Sequence, residues 1–140
     1  MSSLGIRAAT VLDADRFAAT DRSRDDRADK EGLRRHWAEV LADPGAATYW
    51  VATWDGEIVA YAGATALGPG HERLLELSAM DILAEYEGRG IEGKLINHAI
   101  GEAPCLVWVD QDAHEKIGLY EDHGFGRDGA IESGRVRMVR

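Results

Sequence analysis

Cysteine is nearly absent from this sequence, and that absence removes several kinds of chemistry. Cys105 is the single cysteine among 140 residues, so the chain can form no internal disulfide and carries no C-x-x-C pair. We interpret Cys105 as a small buried apolar residue. The histidines also lack the H-x-x-x-H spacing with an adjacent glutamate that marks a zinc-binding helix. They are His36, His71, His98, His114 and His123. The sequence therefore predicts no metal site.

Long apolar runs and excess positive charge are missing as well. No stretch approaches the roughly 18 consecutive apolar residues of a membrane-spanning helix. The segment Met1–Arg7 lacks the apolar centre of a secretory signal. The net charge of −9 disfavours nucleic acid as the main partner, because such affinity comes chiefly from Lys and Arg neutralising phosphates. We expect a cytoplasmic protein that binds neither membranes nor nucleic acid.

The first third of the chain predicts one strand and two helices. A strand at Ile6–Ala9 precedes a helix from Val11 to about residue 23, with Leu12 and Phe17 on its apolar face. Residues 21–30 form a mixed-charge run, read as a solvated loop or, alternatively, as a mobile lid on the substrate side. Apolar residues at helical spacing from Leu33 onward predict a second helix that ends near residues 43–45.

The remaining residues predict six more strands and two more helices. Two strands meet at Asp55-Gly56, a strong hairpin signal. The next strand, residues 74–82, alternates, and this places Leu75, Leu77 and Ala79 on one face and Glu76, Ser78, Met80 and Ile82 on the other. A helix from about Ile91, a buried strand at residues 105–109, a helix at residues 113–123 and two closing strands follow. We predict one α+β domain over residues 1–140, with no internal repeat.

A glycine-rich turn between a strand and a helix is the first candidate for a binding site. The amino end of a helix presents backbone N–H groups without partners and carries partial positive charge. Glycines allow a ligand to approach the backbone closely. The candidate phosphate-binding residues here are Gly88, Arg89, Gly90, Gly93 and Lys94. The segment is neither a P-loop nor a dinucleotide fingerprint.

Two segments about 30 residues apart resemble the GNAT superfamily of acyl-CoA-dependent N-acyltransferases. Residues 80–91, MDILAEYEGRGI, are similar to the family's strand and its Q/R-x-x-G-x-G/A loop. Residues 119–125, LYEDHGF, are similar to its L-Y-E-K-x-G-F segment. The resemblance extends over nearly the whole chain. It implies the GNAT fold, with a mixed central sheet of about six to seven strands flanked by about four helices, and acetyl-CoA as the acyl donor.

The resemblance also assigns roles to individual residues. Backbone groups near Met80 and Ile82 would polarise the thioester carbonyl and hold the donor. Tyr120 would be the general acid toward the departing sulfur. Glu76, eleven residues before Glu87, would be the general base, as in the histone-acetylating branch of the superfamily. By strand alternation Asp81 is a poorer candidate for that base.

Two positions depart from the family's loop pattern. Glu87 stands where a polar or cationic residue is usual, and Glu92 stands where Gly or Ala is usual. Two carboxylates beside a pyrophosphate would repel it, by roughly 1 kcal/mol each in water. Arg89 and Lys94 would offset that charge.

These features predict an N-acetyltransferase that transfers an acetyl group directly from acetyl-CoA to a small-molecule or protein amine. The acidic composition favours a cationic acceptor. The alternative is a GNAT-fold binding or regulatory module that no longer transfers acyl groups, and the two loop glutamates motivate it. By analogy with the family, the protein would pair as a homodimer.

Overall fold

The computed structural model describes residues 3–20, 30–43, 45, 47–70 and 73–140. The strands in these ranges are β1 Leu4–Ala8, β2 Ala47–Trp54, β3 Glu57–Ala66, β4 Leu75–Ile82, β5 Cys105–Asp110, β6 Gly126–Glu132 and β7 Arg135–Val139. The helices are α1 Ala14–Thr20, α2 Lys30–Ala42, α3 Ile91–Ile100 and α4 His114–Asp122. Short 3-10 turns, Val11–Asp13 and Ala84–Tyr86, precede α1 and α3.

All seven described strands join one mixed sheet in the order β1-β2-β3-β4-β5-β7-β6. Neighbouring strands are antiparallel except for β4 and β5, which are parallel. Side chains of α1 and α2 pack on one face of the sheet, and those of α3 and α4 pack on the other. The predicted order of elements and the predicted α+β sheet flanked by about four helices are confirmed for the described residues.

Strand β3 is buried on both faces through its middle, from Ile58 to Ala64. Toward α3 it presents Ala60, Ala62 and Ala64, whose small side chains leave room for the helix. Toward α1 and α2 it presents Tyr61, whose ring stacks on Phe17 at 4.5 Å between ring centres. Helix α1 thus anchors through an aromatic contact and α3 through close aliphatic packing.

The hairpin predicted at Asp55-Gly56 is confirmed. Asp55 has φ +52° and Gly56 has φ +89°, as a two-residue turn between twisted strands requires. The turn is also tied to the chain start, because the carboxylate of Asp55 accepts a hydrogen bond from the backbone N–H of Ser3 at 2.7 Å. The pairing of β2 with β3 therefore follows from a local signal, whereas β1 is joined to them by contacts between distant residues.

The first predicted helix differs from the observed structure. Residues 11–13 form a 3-10 turn rather than α-helix, and Leu12 is 90% exposed instead of lying on an apolar face. The turn is fixed by Asp13, whose carboxylate accepts hydrogen bonds from the guanidinium of Arg7 and from the backbone N–H of Thr10. Phe17 is fully buried, as predicted. Residues 21–29 of the predicted mixed-charge loop or lid lie outside the described residues.

Candidate functional site

The sheet opens at its centre, between its two parallel strands. Strands β4 and β5 pair only at Leu75 with Cys105 and at Glu76 with Leu106. Beyond that point, among the strands that the structure describes, β4 pairs only with β3, and β5 pairs only with β7. The opening leads into a cleft lined by Met80, Asp81, Ile82, Glu87, Glu92, Glu115, Lys116, Leu119 and Tyr120. Met80, Asp81 and Ile82 of β4 line this cleft beyond the last pair with β5, and the N–H of Ile82 donates to the carboxylate of Asp81 at 3.2 Å.

A β-bulge at Ser78 decides which side chains of β4 share a face. Gly63 of β3 pairs with Ala79, but the next residue, Ala64, pairs with Leu77, so Ser78 is the extra residue. The Ser78 hydroxyl donates to the carbonyl of Gly63 at 3.2 Å and accepts from the hydroxyl of Thr65 at 2.8 Å. An extra residue reverses the alternation of side chains along the strand.

The bulge corrects the predicted position of Glu76. Glu76 does not share a face with Met80 and Ile82, because those two residues pack with Leu77 against α3 and α4. By the observed register Glu76 lies on the face of Ala79 and Asp81. Asp81, which strict alternation assigned to the opposite face, is therefore on the same face as Glu76.

Tyr120 lies in the last turn of α4 and is only 4% exposed. Burial raises the pKa of its phenol, and the charges of Asp81 and then Cys105 raise that pKa further. The phenol consequently keeps its proton well above neutral pH. A protonated hydroxyl in a cleft can donate a proton to a leaving group, so the environment suits an acid rather than a base.

The segment LYEDHGF forms the end of α4 and thereby fixes Tyr120. Gly124 has φ +92°, and its N–H donates to the carbonyl of Glu121. The N–H of Phe125 donates to the carbonyl of Tyr120 at 3.0 Å, and the two rings meet edge to face at 5.5 Å between centres. This combination is the Schellman helix ending with its apolar contact. The backbone of Tyr120 is thus held from outside its own helix.

The glycine turn borders the same cleft at the start of α3. Gly88 has φ +77° and Gly90 has φ +79°, so both positions need the left-handed conformation that glycine adopts most easily. Gly90 is the residue immediately before the helix, and it has no side chain with which to cap the first turn. The backbone N–H groups of that turn are the donors that could hold a pyrophosphate.

Carboxylates dominate the cleft wall. Four of its lining side chains are acidic, Asp81, Glu87, Glu92 and Glu115, and Lys116 is the one lining cation in the described part of the chain. The two glutamates that depart from the family's pattern therefore border the cleft. Glu92 also lies in the first turn of α3, where a negative side chain interacts favourably with the helix dipole. It occupies the helix end that an anionic ligand would use.

The two predicted loop cations lie elsewhere. The guanidinium carbon of Arg89 is 5.3 Å from the ring centre of Trp54 and 5.0 Å from that of Tyr86. Lys94 is exposed one turn into α3. Neither side chain lines the cleft. Gly93 is buried, and its Cα faces the ring of His123 rather than open space.

The structure thus brings together only part of the predicted set. Tyr120, Met80 and Ile82 line one cleft. Gly88 and Gly90 form the turn between two lining residues, whereas Glu76 is not among the lining residues. Asp81 and Lys116, which the sequence did not single out as site residues, also line the cleft. An aspartate inside an apolar strand was a signal for Asp81, but only the bulge shows which face it occupies.

Two further observations concern the described residues as a group. None of their helices is long and apolar enough to cross a membrane. Among the same residues, no three His, Cys, Asp or Glu side chains are grouped so that they could hold a metal ion.

Comparison with known proteins gives consistent matches. The model of the acetyltransferase (GNAT) family matches residues 10–125. The uncharacterized N-acetyltransferase YjgM of Escherichia coli K12 is 32% identical over 115 residues, which cover 73% of this chain and 68% of that protein.

Solved structures agree at the level of the fold. The PaiA N-acetyltransferase from Thermoplasma acidophilum, solved in complex with coenzyme A, has a TM-score of 0.78 at 14% identity, covering 99% of this chain and 98% of that chain. An acetyltransferase from Thermus thermophilus has a TM-score of 0.79 at 17% identity, covering 99% of this chain and 96% of that chain.

Proposed function

The chain belongs to the GNAT family of acetyltransferases, and we propose that it transfers an acetyl group from acetyl-CoA to an amine. The observation that carries the proposal is the cleft between β4 and β5, which the buried Tyr120 lines together with Met80, Asp81 and Ile82 of β4. In this proposal the thioester lies beside Met80 and Ile82, and the pyrophosphate lies on the turn at Gly88 and Gly90. The backbone N–H groups of this turn suit an anion, and Arg89, Gly93 and Lys94 are close to it in the sequence.

The reaction proceeds as a direct transfer. The neutral amine nitrogen attacks the thioester carbonyl, a C–N bond forms, and a backbone N–H near Met80 stabilises the resulting oxyanion. The C–S bond then breaks, and Tyr120 donates its proton to the departing sulfur. Glu76 accepts the proton that the amine loses, directly or through water. The products are the N-acetylated amine and CoA with a free thiol.

The acidic wall favours a cationic acceptor. Asp81 is 6% exposed and lies on the same face of β4 as Glu76, beside Tyr120 in the cleft. A buried carboxylate attracts an ammonium group strongly, because water screens the pair poorly there. We assign to Asp81 the binding of the protonated acceptor amine, before that amine loses its proton. The acceptor is then a small molecule or protein side chain with at least one positive charge.

A second candidate function follows from the same carboxylates. Glu87 and Glu92 line the cleft beside the proposed pyrophosphate position, and their charge opposes an anionic ligand. If that repulsion exceeds the binding energy of the backbone donors, the protein is a GNAT-fold binding or regulatory module without transferase activity.

Calorimetric titration with acetyl-CoA separates the two functions. Binding in the micromolar range, about −8 kcal/mol, supports the transferase. Release of free thiol is then measured with a panel of cationic and uncharged amines, with Tyr120→Phe as a variant that binds the donor but transfers slowly. Absence of binding at millimolar acetyl-CoA would contradict the transferase and support the regulatory module.

A further inference from the structure

Gly93 and His123 are in close contact where α3 meets α4. A Cβ atom built on Gly93 would lie 2.5 Å from Cε1 and 2.7 Å from Nε2 of the His123 imidazole. Real Cβ atoms essentially never approach other atoms below 3.0 Å. Glycine at this position therefore makes room for a ring of the protein itself, a role different from the predicted contact with a phosphate.

The backbone of His123 is held by several partners. Its N–H donates to the carbonyl of Tyr120 at 3.0 Å, and its own carbonyl accepts from Nη1 of Arg140 at 3.3 Å. The next residue, Gly124, is the left-handed glycine that ends α4. A Cβ on Gly93 would therefore force either the imidazole to turn about its two side-chain torsions or the end of α4 to move.

The contact joins the two halves of the proposed site. Gly93 is in the first turn of α3, which carries the proposed pyrophosphate donors. Tyr120 is three residues before His123 in the last turn of α4. We propose that the contact between Gly93 and His123 is a positioning contact that sets the distance between the phosphate end of α3 and the hydroxyl of Tyr120.

This inference rests on the proposed function, because it matters only if α3 and Tyr120 act on the same donor molecule. A fixed distance would let one molecule of acetyl-CoA touch the helix end with its pyrophosphate and Tyr120 with its sulfur. Alignment errors of about 1 Å can reduce an enzymatic rate about a hundredfold.

Four variants test the contact: Gly93→Ala, His123→Ala, the double variant, and Gly118→Ala as a control. Gly118 is a glycine of α4 whose added Cβ would meet nothing within 4 Å. We expect Gly93→Ala to weaken acetyl-CoA binding at least tenfold and to lower kcat further, measured with the best amine of the panel. In the double variant the methyl group added at position 93 fills the space of the imidazole, so both values return to within about threefold of the unmodified protein, whereas His123→Ala alone leaves that space empty and weakens both. Gly118→Ala changes neither.

Three results would overturn the inference. Gly93→Ala with unchanged kinetics and a raised melting temperature would show only the ordinary gain from replacing a helical glycine. A double variant as weak as Gly93→Ala would show that the ligand itself needs the glycine. A double variant that recovers binding but not kcat would show that Tyr120 is not positioned by this contact.

Separate controls distinguish failure of the positioning role from a folding defect and from failure of the proposed function. If Gly93→Ala does not fold, His123→Trp enlarges the same contact from the side of α4, and the same loss is expected from it. If the unmodified protein fails to bind acetyl-CoA, the proposed function fails. If it binds and reacts but Gly93→Ala behaves like Gly118→Ala, only the positioning role fails.

Discussion

The guanidinium of Arg89 lies over the indole of Trp54, with 5.3 Å between the guanidinium carbon and the ring centre. Tyr86 contributes a second ring at 5.0 Å, and the rings of Trp54 and Tyr86 are themselves 6.0 Å apart. This stack ties the turn before α3 to the end of β2. A cation over an aromatic ring contributes about 0.5–1 kcal/mol at exposed sites.

Replacing Arg89 separates its stacking from its charge. We expect Arg89→Lys to weaken acetyl-CoA binding, although it keeps the charge, because a lysine lacks the planar group that stacks on both rings. Trp54→Ala should weaken acetyl-CoA binding by a similar factor, and we expect about a two- to fivefold loss for each variant. Calorimetric titration of both variants measures the effect. If Arg89→Lys binds normally and only Arg89→Ala is weakened, then the charge and not the stack holds the turn.

Tyr120→Phe should leave the structure and donor binding intact but slow the transfer. The ring that packs on Phe125 is retained, so the melting temperature and the acetyl-CoA affinity stay close to those of the unmodified protein. Loss of a general acid typically costs a factor of about 100 or more in kcat. Because the pKa of Tyr120 is raised, the proton stays on the phenol to higher pH than usual, and no loss of kcat from its ionisation is expected up to about pH 10. Equal rates for the two proteins would remove Tyr120 from the mechanism.

Loss of charge at Glu76 and loss of charge at Asp81 should change different kinetic constants. Glu76→Gln is expected to lower kcat while the KM of the amine changes little, since the proposed role of Glu76 is to accept a proton. Asp81→Asn is expected to raise the KM of a cationic amine about tenfold and to affect an uncharged amine much less. Asp112→Asn, an exposed aspartate outside the cleft lining, is the control. If Asp81→Asn lowers kcat and Glu76→Gln has no effect, the base is Asp81.

Neutralising the loop carboxylates should strengthen donor binding. We expect the double variant Glu87→Gln, Glu92→Gln to bind acetyl-CoA about tenfold more tightly, a gain of about 1.4 kcal/mol. The gain should shrink at high salt, because exposed charges are screened. Glu92→Gln should also lower stability slightly, since it removes a negative charge from the first turn of α3. Glu39→Gln on α2 is the control, and an equal affinity for all three proteins would contradict repulsion by these carboxylates.

The ion pair of Arg7 and Asp13 should make the free energy of unfolding depend on pH in the acid range. Nη1 of Arg7 and Oδ2 of Asp13 are 2.9 Å apart, and the guanidinium holds the pKa of the buried Asp13 carboxyl below its ordinary value. A lowered pKa means that the stabilisation is present above the unfolded-state pKa of about 3.9 and is lost as the pH falls through the folded-state value.

Asp13→Asn removes this stabilisation at neutral pH. We expect a loss of about 1–3 kcal/mol in the free energy of unfolding, measured by urea denaturation at pH 7, and a smaller difference at pH 3. Glu31→Gln breaks the exposed pair with Arg34 and should change stability very little. A loss for Asp13→Asn that is the same at both pH values would show that the charge of Asp13 is not responsible.

Features fixed by neighbouring residues could be predicted from the sequence. Asp55-Gly56 sets a hairpin because few residues accept positive φ at both turn positions. Gly124 and Phe125 end α4 through hydrogen bonds that span only five residues. Gly88 and Gly90 mark the turn before α3 because both positions have positive φ. These local rules, with the spacing of apolar residues, determined most of the elements and their order along the chain.

Features that depend on contacts between distant residues were decided only by the tertiary structure. At the bulge the hydroxyl of Ser78 donates to the carbonyl of Gly63 on the neighbouring strand, and the extra residue moves Asp81 to the face of Glu76. The need for glycine at 93 comes from His123, thirty residues further along. The sequence alone determined which residues could carry the chemistry. Strand pairing and side-chain packing decided which of these residues share a surface, because such contacts join segments that are far apart in the sequence.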